Sequence, residues 1–579
     1  MNTMQDQSTA GWTPPPVQID GCDTFSKLFR QNCKKFGNKI AIREKDFGIW
    51  KEFSWLDYYA SARRVGCSLM ALGYREGDVA AIISEDNKEW VFADLGIQCI
   101  GATTHGLYPT LQEKQVAYQL NDSGAKVLFV EDEEQLDKYL GVEDQLDHLE
   151  KVIVFDMEGL RSFQHDKVIG WEEFLALSDA KIEELSVEFE RRVDAGDPED
   201  IATLIYTSGT TGNPKGVVLS YNNLAAAAQG VLEVQPAAQQ KHRVLSYLPM
   251  AHITERSVVA MVSLYELGDI FFNGDLNTFL ADLQHAKPTN FVSVPRLWAK
   301  FKSQVLAVIP DEDLQTMLAS DQGEAVAAGI REKLGLHNAV QFGSGSAPIP
   351  PGLLTWFSGI GIDISEGWGM TETSGASCTN MPFSAEQIGT IGKPLSCVEM
   401  KLSVDEEILI RGPAIFKEYY NNPEATEEAF VDGWFRTGDK AKINDNGSFQ
   451  IIGRVKEQFK TAKGKYVAPV PIECLLGALP YVEQVCVLGL GRAQPMAIIV
   501  PVPQEGLSNE ELKSRISSDM NEVNQQLESH CHLNCILVSA TPMTIENGML
   551  TPTLKLKRDK IEAHFDQHLG DENLGVIFV

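Results

Sequence analysis

The sequence predicts an α/β fold, divided into a large N-terminal domain with several subdomains and a smaller C-terminal α+β domain. Helical patterns alternate with short apolar runs through most of the chain, as in parallel sheets flanked by helices. Over residues 405–453 the pattern changes to short strands separated by turn residues. The length of 579 residues also exceeds what a single core supports, so several packing units are expected.

The elements of the N-terminal domain can be placed in chain order. The first 20 residues include a run of prolines at positions 14–16 and predict a loose arm. Helices are predicted near residues 24–36 and over residues 55–72. Short apolar runs then predict buried strands. These runs are residues 79–83, 126–130, 152–155, 244–248 and 290–294.

A turn signal leads into the C-terminal domain. Residues 444–447 (Asn-Asp-Asn-Gly) precede the apolar run 448–452 and predict a hairpin. We place the domain boundary at residues 453–456, after which strands and helices alternate as a compact unit. The predicted domains are an arm (1–20), an N-terminal domain (21–453) and a C-terminal domain (454–579).

Charge and composition limit the possible partners. The formal net charge of -30 opposes nucleic-acid backbones and anionic membrane surfaces as general partners. The N terminus has no basic segment followed by an apolar one, and no run reaches the ~18 apolar residues of a membrane span. We therefore expect a cytoplasmic protein that does not bind nucleic acid. The sequence does not determine its oligomeric state.

The ten cysteines are scattered, without the density of a disulfide scaffold, and are expected to be reduced. His530, Cys531, His532 and Cys535 resemble half a metal site. No second ligand pair at zinc spacing accompanies them, so metal binding by this cluster stays open.

A loop rich in Ser, Thr and Gly follows the apolar run 201–206, which is predicted to be a buried strand. Hydroxyls, flexible glycine amides and a lysine together suit a phosphate chain. The Walker A spacing fails, because Pro214 precedes Lys215 and Gly216 follows it. The alternative is a polar surface turn. The predicted phosphate-binding residues are Thr207, Ser208, Gly209, Thr210, Thr211, Gly212 and Lys215.

Four further segments resemble the adenylate-forming superfamily of acyl-CoA synthetases, luciferases and peptide-synthetase adenylation domains. They are residues 343–348 (GSGSAP), 366–373 (EGWGMTET), 433–439 (GWFRTGD) with 453–454 (GR), and 551–558 (TPTLKLKR). Residues 248–256, 291–298 and 465–469 are most similar to the long-chain fatty-acyl-CoA synthetase branch. The resemblance implies an acyl-CoA synthetase/luciferase-like fold with a mobile C-terminal domain.

The resemblance also implies a reaction. A fatty acid and ATP give acyl-AMP and pyrophosphate with Mg²⁺, and CoA then gives acyl-CoA and AMP. Long-chain acids partition into membranes, so peripheral contact with the inner membrane face is a further expectation. The alternatives are a related ligase that uses another carboxylic acid or transfers the acyl group to a carrier-protein pantetheine, and a catalytically silent lipid-binding homologue.

Motif position implies roles for the catalytic residues. Glu372 would hold Mg²⁺ and Thr371 would donate to the α-phosphate, whereas the alternative for this pair is helix capping. Lys555 matches the catalytic lysine, which contacts the substrate carboxylate and the α-phosphate. Leu554 stands where many relatives have Gly, and Lys557 lies nearby. The alternative for these lysines is a solvated basic tail.

For the nucleotide, the resemblance implies that Trp368 offers a ring to adenine, where the family more often has Tyr. Asp439 would accept from the ribose hydroxyls and Arg454 would add a second anchor, unless the two form a surface salt bridge. Small residues from Gly345 onward let the backbone approach the ligand. The adenine and ribose candidates are Gly345, Ser346, Ala347, Glu366, Gly367, Trp368, Asp439 and Arg454.

The remaining candidates concern domain rotation and the acyl and CoA sites. Lys456 matches the hinge about which the family rotates the small domain between half-reactions. Gly464 lies in a segment that resembles the loop lining the pantetheine tunnel, although Lys463 replaces a frequent second glycine. His252 either borders the acyl pocket or is a satisfied core histidine. Arg256 lies where some long-chain relatives carry a gating Trp, so no gating role is assigned.

Overall fold

The computed structural model describes residues 21–207, 213–235, 241–275, 277–479, 481–502, 508–551, 555–570 and 574–579, apart from the side chains at 260 and 261. The predicted arm lies outside the described residues. Helices and strands alternate along the described chain, which confirms the α/β class. The helices are α1 (Phe25–Phe36), α2 (Trp55–Ala71), α3 (Lys88–Cys99), α4 (Glu113–Ser123), α5 (Glu133–Leu140), α6 (Trp171–Ala176), α7 (Ile182–Ala195), α8 (Tyr221–Val234), α9 (Ile253–Glu255), α10 (Val262–Glu266), α11 (Phe279–Ala286), α12 (Pro295–Leu306), α13 (Asp311–Leu318), α14 (Gly323–Lys333), α15 (Pro351–Ser358), α16 (Pro423–Ala429), α17 (Pro469–Gly477), α18 (Asn509–Gln525) and α19 (Arg558–Phe565).

The strands confirm the predicted apolar runs, with ends that differ by a residue or two. They are β1 (Ile40–Asp46), β2 (Ile49–Ser54), β3 (Val79–Ile83), β4 (Thr103–Leu107), β5 (Val127–Val130), β6 (Lys151–Val154), β7 (Val168–Gly170), β8 (Ile201–Thr207), β9 (Lys215–Ser220), β10 (Arg243–Ser246), β11 (Asp269–Phe272), β12 (Asn290–Ser293), β13 (Gln341–Ser344), β14 (Ile364–Met370), β15 (Gly375–Thr379), β16 (Lys393–Pro394), β17 (Glu399–Leu402), β18 (Glu407–Arg411), β19 (Phe430–Val431), β20 (Trp434–Ile443), β21 (Phe449–Arg454), β22 (Phe459–Lys460), β23 (Tyr466–Val467), β24 (Val482–Leu488), β25 (Met496–Pro501), β26 (Cys535–Val538) and β27 (Gly575–Phe578).

The largest sheet has seven strands in the order β7-β6-β5-β3-β4-β8-β9. Its strands run parallel except at the edge, where β9 pairs antiparallel with β8. Side chains alternate across a strand, so Ala80 and Ile82 face one apolar core while Ala81 and Ile83 face another. Fully burying a side chain such as Ile82 stabilises the fold by about 1.5–3 kcal/mol. The sheet is therefore covered on both faces.

The described residues of the large part of the chain form three further sheets. One runs β10-β11-β1-β2, and the next runs β12-β13-β14-β15-β16. The last, β17-β18-β20-β19, also carries β21 on β20. The predicted hairpin at residues 444–447 is confirmed, because Gly447 has a φ of 82° and the turn joins β20 to β21.

The C-terminal unit has its own sheet, β24-β25-β26-β27, between two apolar clusters. Ala497 and Ile499 face the cluster that contains Leu476 of α17, while Ile498 faces the one that contains Ile561 of α19. The predicted boundary at 453–456 falls where β21 ends. Its exact position stays a prediction.

Local sequence explains where the first helices begin. Thr24 caps α1, because its hydroxyl accepts the Lys27 N–H. At α2, Ser54 and Asp57 form a reciprocal capping box. Both predicted helices are thereby confirmed. None of the described helices has the length and hydrophobicity required to cross a membrane.

Candidate active site

A cavity brings together predicted site residues from both parts of the chain. Thr207 ends β8, Thr371 follows β14, and His252 precedes α9. Lys555 reaches the same cavity from the C-terminal unit. The cavity is lined by Tyr108, Leu111, Gln115, Gln119, Tyr206, Thr207, Pro214, His252, Thr371 and Lys555.

Lys555 supplies a cation to this cavity. Enclosure by protein lowers the pKa of Lys555 from its usual value, and Arg454 adds repulsion. Glu372 and Asp439 oppose that shift, which means that both carboxylates act electrostatically on the ammonium group. The Lys555 N–H donates to Thr551 Oγ1 at 3.0 Å, which fixes the backbone next to residues 552–554, outside the described part. Leu554, the departure from the family pattern, is among those residues.

Glu372, the predicted Mg²⁺ ligand, is buried and held by a residue that the sequence analysis missed. The Tyr419 hydroxyl donates to Glu372 Oε1 at 2.9 Å. Burial and the neighbouring carboxylate raise the pKa of Tyr419, so it remains a donor. Lys215 Nζ lies 4.8 Å from the centroid of the Tyr419 ring. The sequence of residues 415–422 gives no signal for this role of Tyr419, because its partners lie far away in the sequence.

The predicted phosphate loop connects β8 to β9. Thr207 and Lys215 are a paired register position of these strands, so both loop ends are fixed by a hairpin. The Tyr118 hydroxyl donates to the Pro214 carbonyl at 3.1 Å. Ser208, Gly209, Thr210, Thr211 and Gly212 lie outside the described residues. Their role stays a prediction.

Asp439 joins two nucleotide candidates. Arg454 Nε donates to Asp439 Oδ1 at 2.6 Å, and Trp368 Nε1 donates to Asp439 Oδ2 at 2.9 Å. Asp439 and Trp368 are both buried, so the Arg454 pair is not an ordinary surface salt bridge. From the sequence, only the ring face of Trp368 was expected to make a contact. Its indole N–H is a further contact that the usual Tyr could not supply in this form.

The backbones of the adenine candidates approach closely. A Cβ on Gly345 would lie 3.2 Å from the Gly367 carbonyl, and Ser346 has a φ of 66°. A Cβ on Gly369 would overlap the Gly375 carbonyl, which requires glycine beside Trp368. Ala347 follows in the same loop. These contacts fix how β13 and β14 meet at the site.

Among the predicted adenine and ribose residues, Glu366 has an unusual carboxyl group. Burial raises the pKa of Glu366 to about 8, which favours the neutral carboxyl group. Its Oε2 is buried without a hydrogen-bond partner in the part of the chain that the structure describes. Its backbone carbonyl accepts from the Asn380 N–H at 2.9 Å.

His252 lies on the cavity wall. Burial, followed by the charge of Lys555, lowers the pKa of His252 to about 4. Its Nδ1 accepts the Thr254 N–H at 3.1 Å, which indicates a neutral ring protonated at Nε2. Arg256 turns away into the core, where Nη2 donates to Asp94 at 2.8 Å and the guanidinium lies 5.0 Å from the Trp90 ring centroid.

The predicted hinge residue Lys456 lies in the turn after β21. Its neighbour Glu457 links the two parts of the chain, since Glu457 Oε1 lies 3.8 Å from Arg454 Nη1 and Oε2 lies 3.5 Å from Arg558 Nη2. Gly464, with a φ of 78°, forms the turn between β22 and β23. Gly464 does not line the cavity above.

The His530–Cys535 cluster does not converge on a metal site. Within the described ranges, no group of three or more His, Cys, Asp and Glu side chains could hold a metal ion. His532 Nε2 contacts the Leu527 carbonyl at 3.1 Å, and Cys535 is buried in β26.

The chain matches the AMP-binding enzyme family over residues 29–420 and the AMP-binding enzyme C-terminal domain over residues 456–571. It is 30% identical to the long-chain-fatty-acid–CoA ligase FadD15 of Mycobacterium bovis, over 95% of this chain and 97% of that protein. Identity to the long-chain-fatty-acid–CoA ligase ACSBG2 of Xenopus laevis is 28%, over 96% of this chain and 83% of that protein. A solved structure with a similar fold is the A-PCP didomain of carboxylic acid reductase from Segniliparus rugosus in complex with AMP. Its TM-score is 0.76 at 21% identity, and the match covers 96% of this chain and 82% of that one.

Proposed function

The chain belongs to the AMP-binding enzyme family, and from this we propose that it is a long-chain fatty-acid:CoA ligase. The observation that carries the proposal is Lys555, a cation from the C-terminal unit in one cavity with Thr371 and near Glu372. A cation at this junction suits a reaction between a carboxylate and a polyphosphate. The relatives named above supply the substrate class.

In the first half-reaction a fatty-acid carboxylate oxygen attacks the α-phosphorus of ATP, the bond to pyrophosphate breaks, and acyl-AMP forms. Both reactants are anions, so the site must cancel negative charge and needs no side-chain nucleophile. Lys555 neutralises the reacting carboxylate and α-phosphate, and Thr371 donates to the α-phosphate. Lys215, the first residue of β9, would neutralise charge on the β- and γ-phosphates.

The residues present fit a magnesium ion. Glu372 offers a buried carboxylate, and Mg²⁺ typically takes one or two carboxylates together with substrate phosphates and water. When bound, the ion supplies charge neutralisation for the leaving pyrophosphate. Tyr419 holds the carboxylate in place through its hydroxyl.

In the second half-reaction the CoA thiol sulfur attacks the acyl carbonyl, AMP leaves, and the thiol proton is lost. Rotation about Lys456 would withdraw Lys555 and present another face of the C-terminal unit. The lysines of the β22–β23 turn, at positions 460, 463 and 465, are exposed in a chain of net charge -30 and suit a phosphorylated acceptor such as CoA.

Long-chain acids are the proposed substrates. Each buried methylene contributes roughly 0.8 kcal/mol, so a deep apolar pocket favours long chains until its end is reached. We also propose a cytoplasmic enzyme with peripheral contact at the inner membrane face, where such acids partition. The membrane contact follows from the substrate chemistry.

The test is AMP release by purified protein with acids from acetate to oleate and with benzoate and cinnamate, each with and without CoA. The proposal predicts the highest kcat/KM for acids of about twelve carbons or more, with AMP release dependent on CoA. A maximum at acetate or cinnamate would reject the substrate class but keep adenylation. Turnover only with a carrier-protein pantetheine would reject CoA as acceptor, and absence of AMP with every acid would indicate a silent homologue.

A further inference from the structure

Two acidic side chains meet at the Ser246 hydroxyl, near the segment that carries the cavity residue His252. Asp86 lies between β3 and α3, and Glu255 ends α9. Ser246 Oγ, at the end of β10, lies 2.7 Å from Asp86 Oδ2 and 2.8 Å from Glu255 Oε1. Glu255 is 3% exposed and Asp86 is half-buried.

The single hydrogen of the Ser246 hydroxyl indicates that the group carries an extra proton. Both contacts of Ser246 Oγ have hydrogen-bond length, yet a hydroxyl has a single hydrogen and can donate in only one of them. The second contact therefore requires a proton on a carboxyl group. Burial acts in the same direction, since it raises the pKa of Asp86 to about 7 and raises that of Glu255 well above its usual range.

Burial alone would make Glu255 the neutral carboxyl, because Glu255 is the less exposed of the two acids, but the backbone hydrogen bonds favour the opposite assignment. Glu255 accepts the backbone N–H groups of Tyr247 and Leu248, which favours its charged form. Asp86 accepts one backbone donor, the Met250 N–H at 2.9 Å, through Oδ1. Its Oδ2 is left to donate to Ser246 Oγ, which in turn donates to Glu255.

Neighbouring acidic residues also favour the protonated form of Asp86. Glu85 and Glu131 raise the pKa of Asp86 further. Lys88 pairs with Glu44 and Glu89, and Arg256 pairs with Asp94. His252, on the same segment, is neutral at pH 7. Glu85 and Glu131, whose own pKa values are raised by burial, are the acidic neighbours that act on Asp86.

The group holds the backbone of residues 246–255, because its acceptors take the N–H groups of Tyr247, Leu248 and Met250. This segment carries His252 to the cavity and Thr254 to within 3.4 Å of Ser346 Oγ. We propose that protonated Asp86, Ser246 and charged Glu255 form a hydrogen-bonded relay that positions the cavity wall for acid binding. Asp86 and Glu255 are positioning residues, and the link to acid binding rests on the proposed function.

The assignment predicts different results for two neutral substitutions. Asp86→Asn supplies an amide N–H in place of the proton and keeps an oxygen for Met250. Glu255→Gln places an amide N–H against the backbone donors of Tyr247 or Leu248. We expect Asp86→Asn to keep the KM for the fatty acid within about twofold and Glu255→Gln to raise it about tenfold, with smaller changes in kcat.

A second readout does not depend on activity. In the native protein the group keeps its proton up to the raised pKa, whereas the unfolded acid loses its proton above about pH 4. The free energy of unfolding of the wild type therefore falls as the pH rises between these two values. The Tm of Asp86→Asn relative to wild type is therefore expected to increase between about pH 5 and about pH 8. Glu85→Gln is the matched control, since it removes a nearby charge without touching Ser246, and its Tm difference from wild type is expected to change less over that range.

A Tm difference for Asp86→Asn that stays constant with pH would overturn the proposal. So would equal KM effects of the two substitutions, or a larger effect of Asp86→Asn. If wild type activates no acid, the proposed function fails, whereas the Tm series still decides whether the proton is present.

Discussion

The Tyr419 hydroxyl donates to Glu372 Oε1 at 2.9 Å, so the candidate magnesium ligand is oriented by a residue 47 positions along the chain. The same ring lies beneath Lys215 Nζ, at 4.8 Å from its centroid. One aromatic side chain thus connects the metal candidate with the phosphate candidate.

Tyr419→Phe tests this connection. The substitution keeps the ring under Lys215 and removes only the donor to Glu372. A hydrogen bond to a charged group contributes about 1.5–3 kcal/mol, so acyl-AMP formation is expected to slow by about tenfold or more. Tyr420→Phe is the neighbouring control and is expected to retain activity. Equal rates for Tyr419→Phe and wild type in a pyrophosphate-release assay would exclude this role.

Glu372→Gln keeps the shape of the side chain but loses the charge of the ligand. We expect reduced adenylation that excess Mg²⁺ partly restores. The measurement is the initial rate over a magnesium titration in both proteins. An unchanged magnesium dependence would argue against Glu372 as the ligand.

Trp368→Phe separates the ring face from the indole N–H. The phenyl ring can still stack on adenine, but Asp439 Oδ2 loses its donor at 2.9 Å. We expect the KM for ATP to rise by about five- to tenfold, because a partner of a buried carboxylate is removed. Trp368→Ala removes both the ring and the indole N–H, and it is expected to weaken ATP binding further. If Trp368→Phe matches wild type, the N–H contact is unimportant for ATP.

Much of the fold could be predicted because its strands are short apolar runs buried on both faces, as at residues 79–83. Motif position led to Lys555 and Thr371, which the structure brings to one cavity. Tyr419, and the group formed by Asp86, Ser246 and Glu255, could not be found this way. Their partners come from distant segments, and neither a tyrosine nor an isolated acid marks its partner in the sequence.

Lys456→Pro tests the hinge by fixing φ in the turn after β21. Adenylation is expected to persist, whereas thioester formation from preformed acyl-AMP is expected to slow more strongly, because only that step requires rotation. Lys456→Ala, which leaves φ free, is the control. Equal losses in the two half-reactions would mean that the hinge lies elsewhere.

We propose that Lys555, a lysine from the C-terminal unit, completes the adenylation site. The most direct measurement compares both half-reactions in Lys555→Ala and in its neighbour Lys557→Ala. For Lys555→Ala we predict that acyl-AMP formation falls at least a hundredfold, about 3 kcal/mol, while thioester formation from supplied acyl-AMP is largely retained. A mild effect of Lys555→Ala together with a severe effect of Lys557→Ala would show that Lys555 does not have this role.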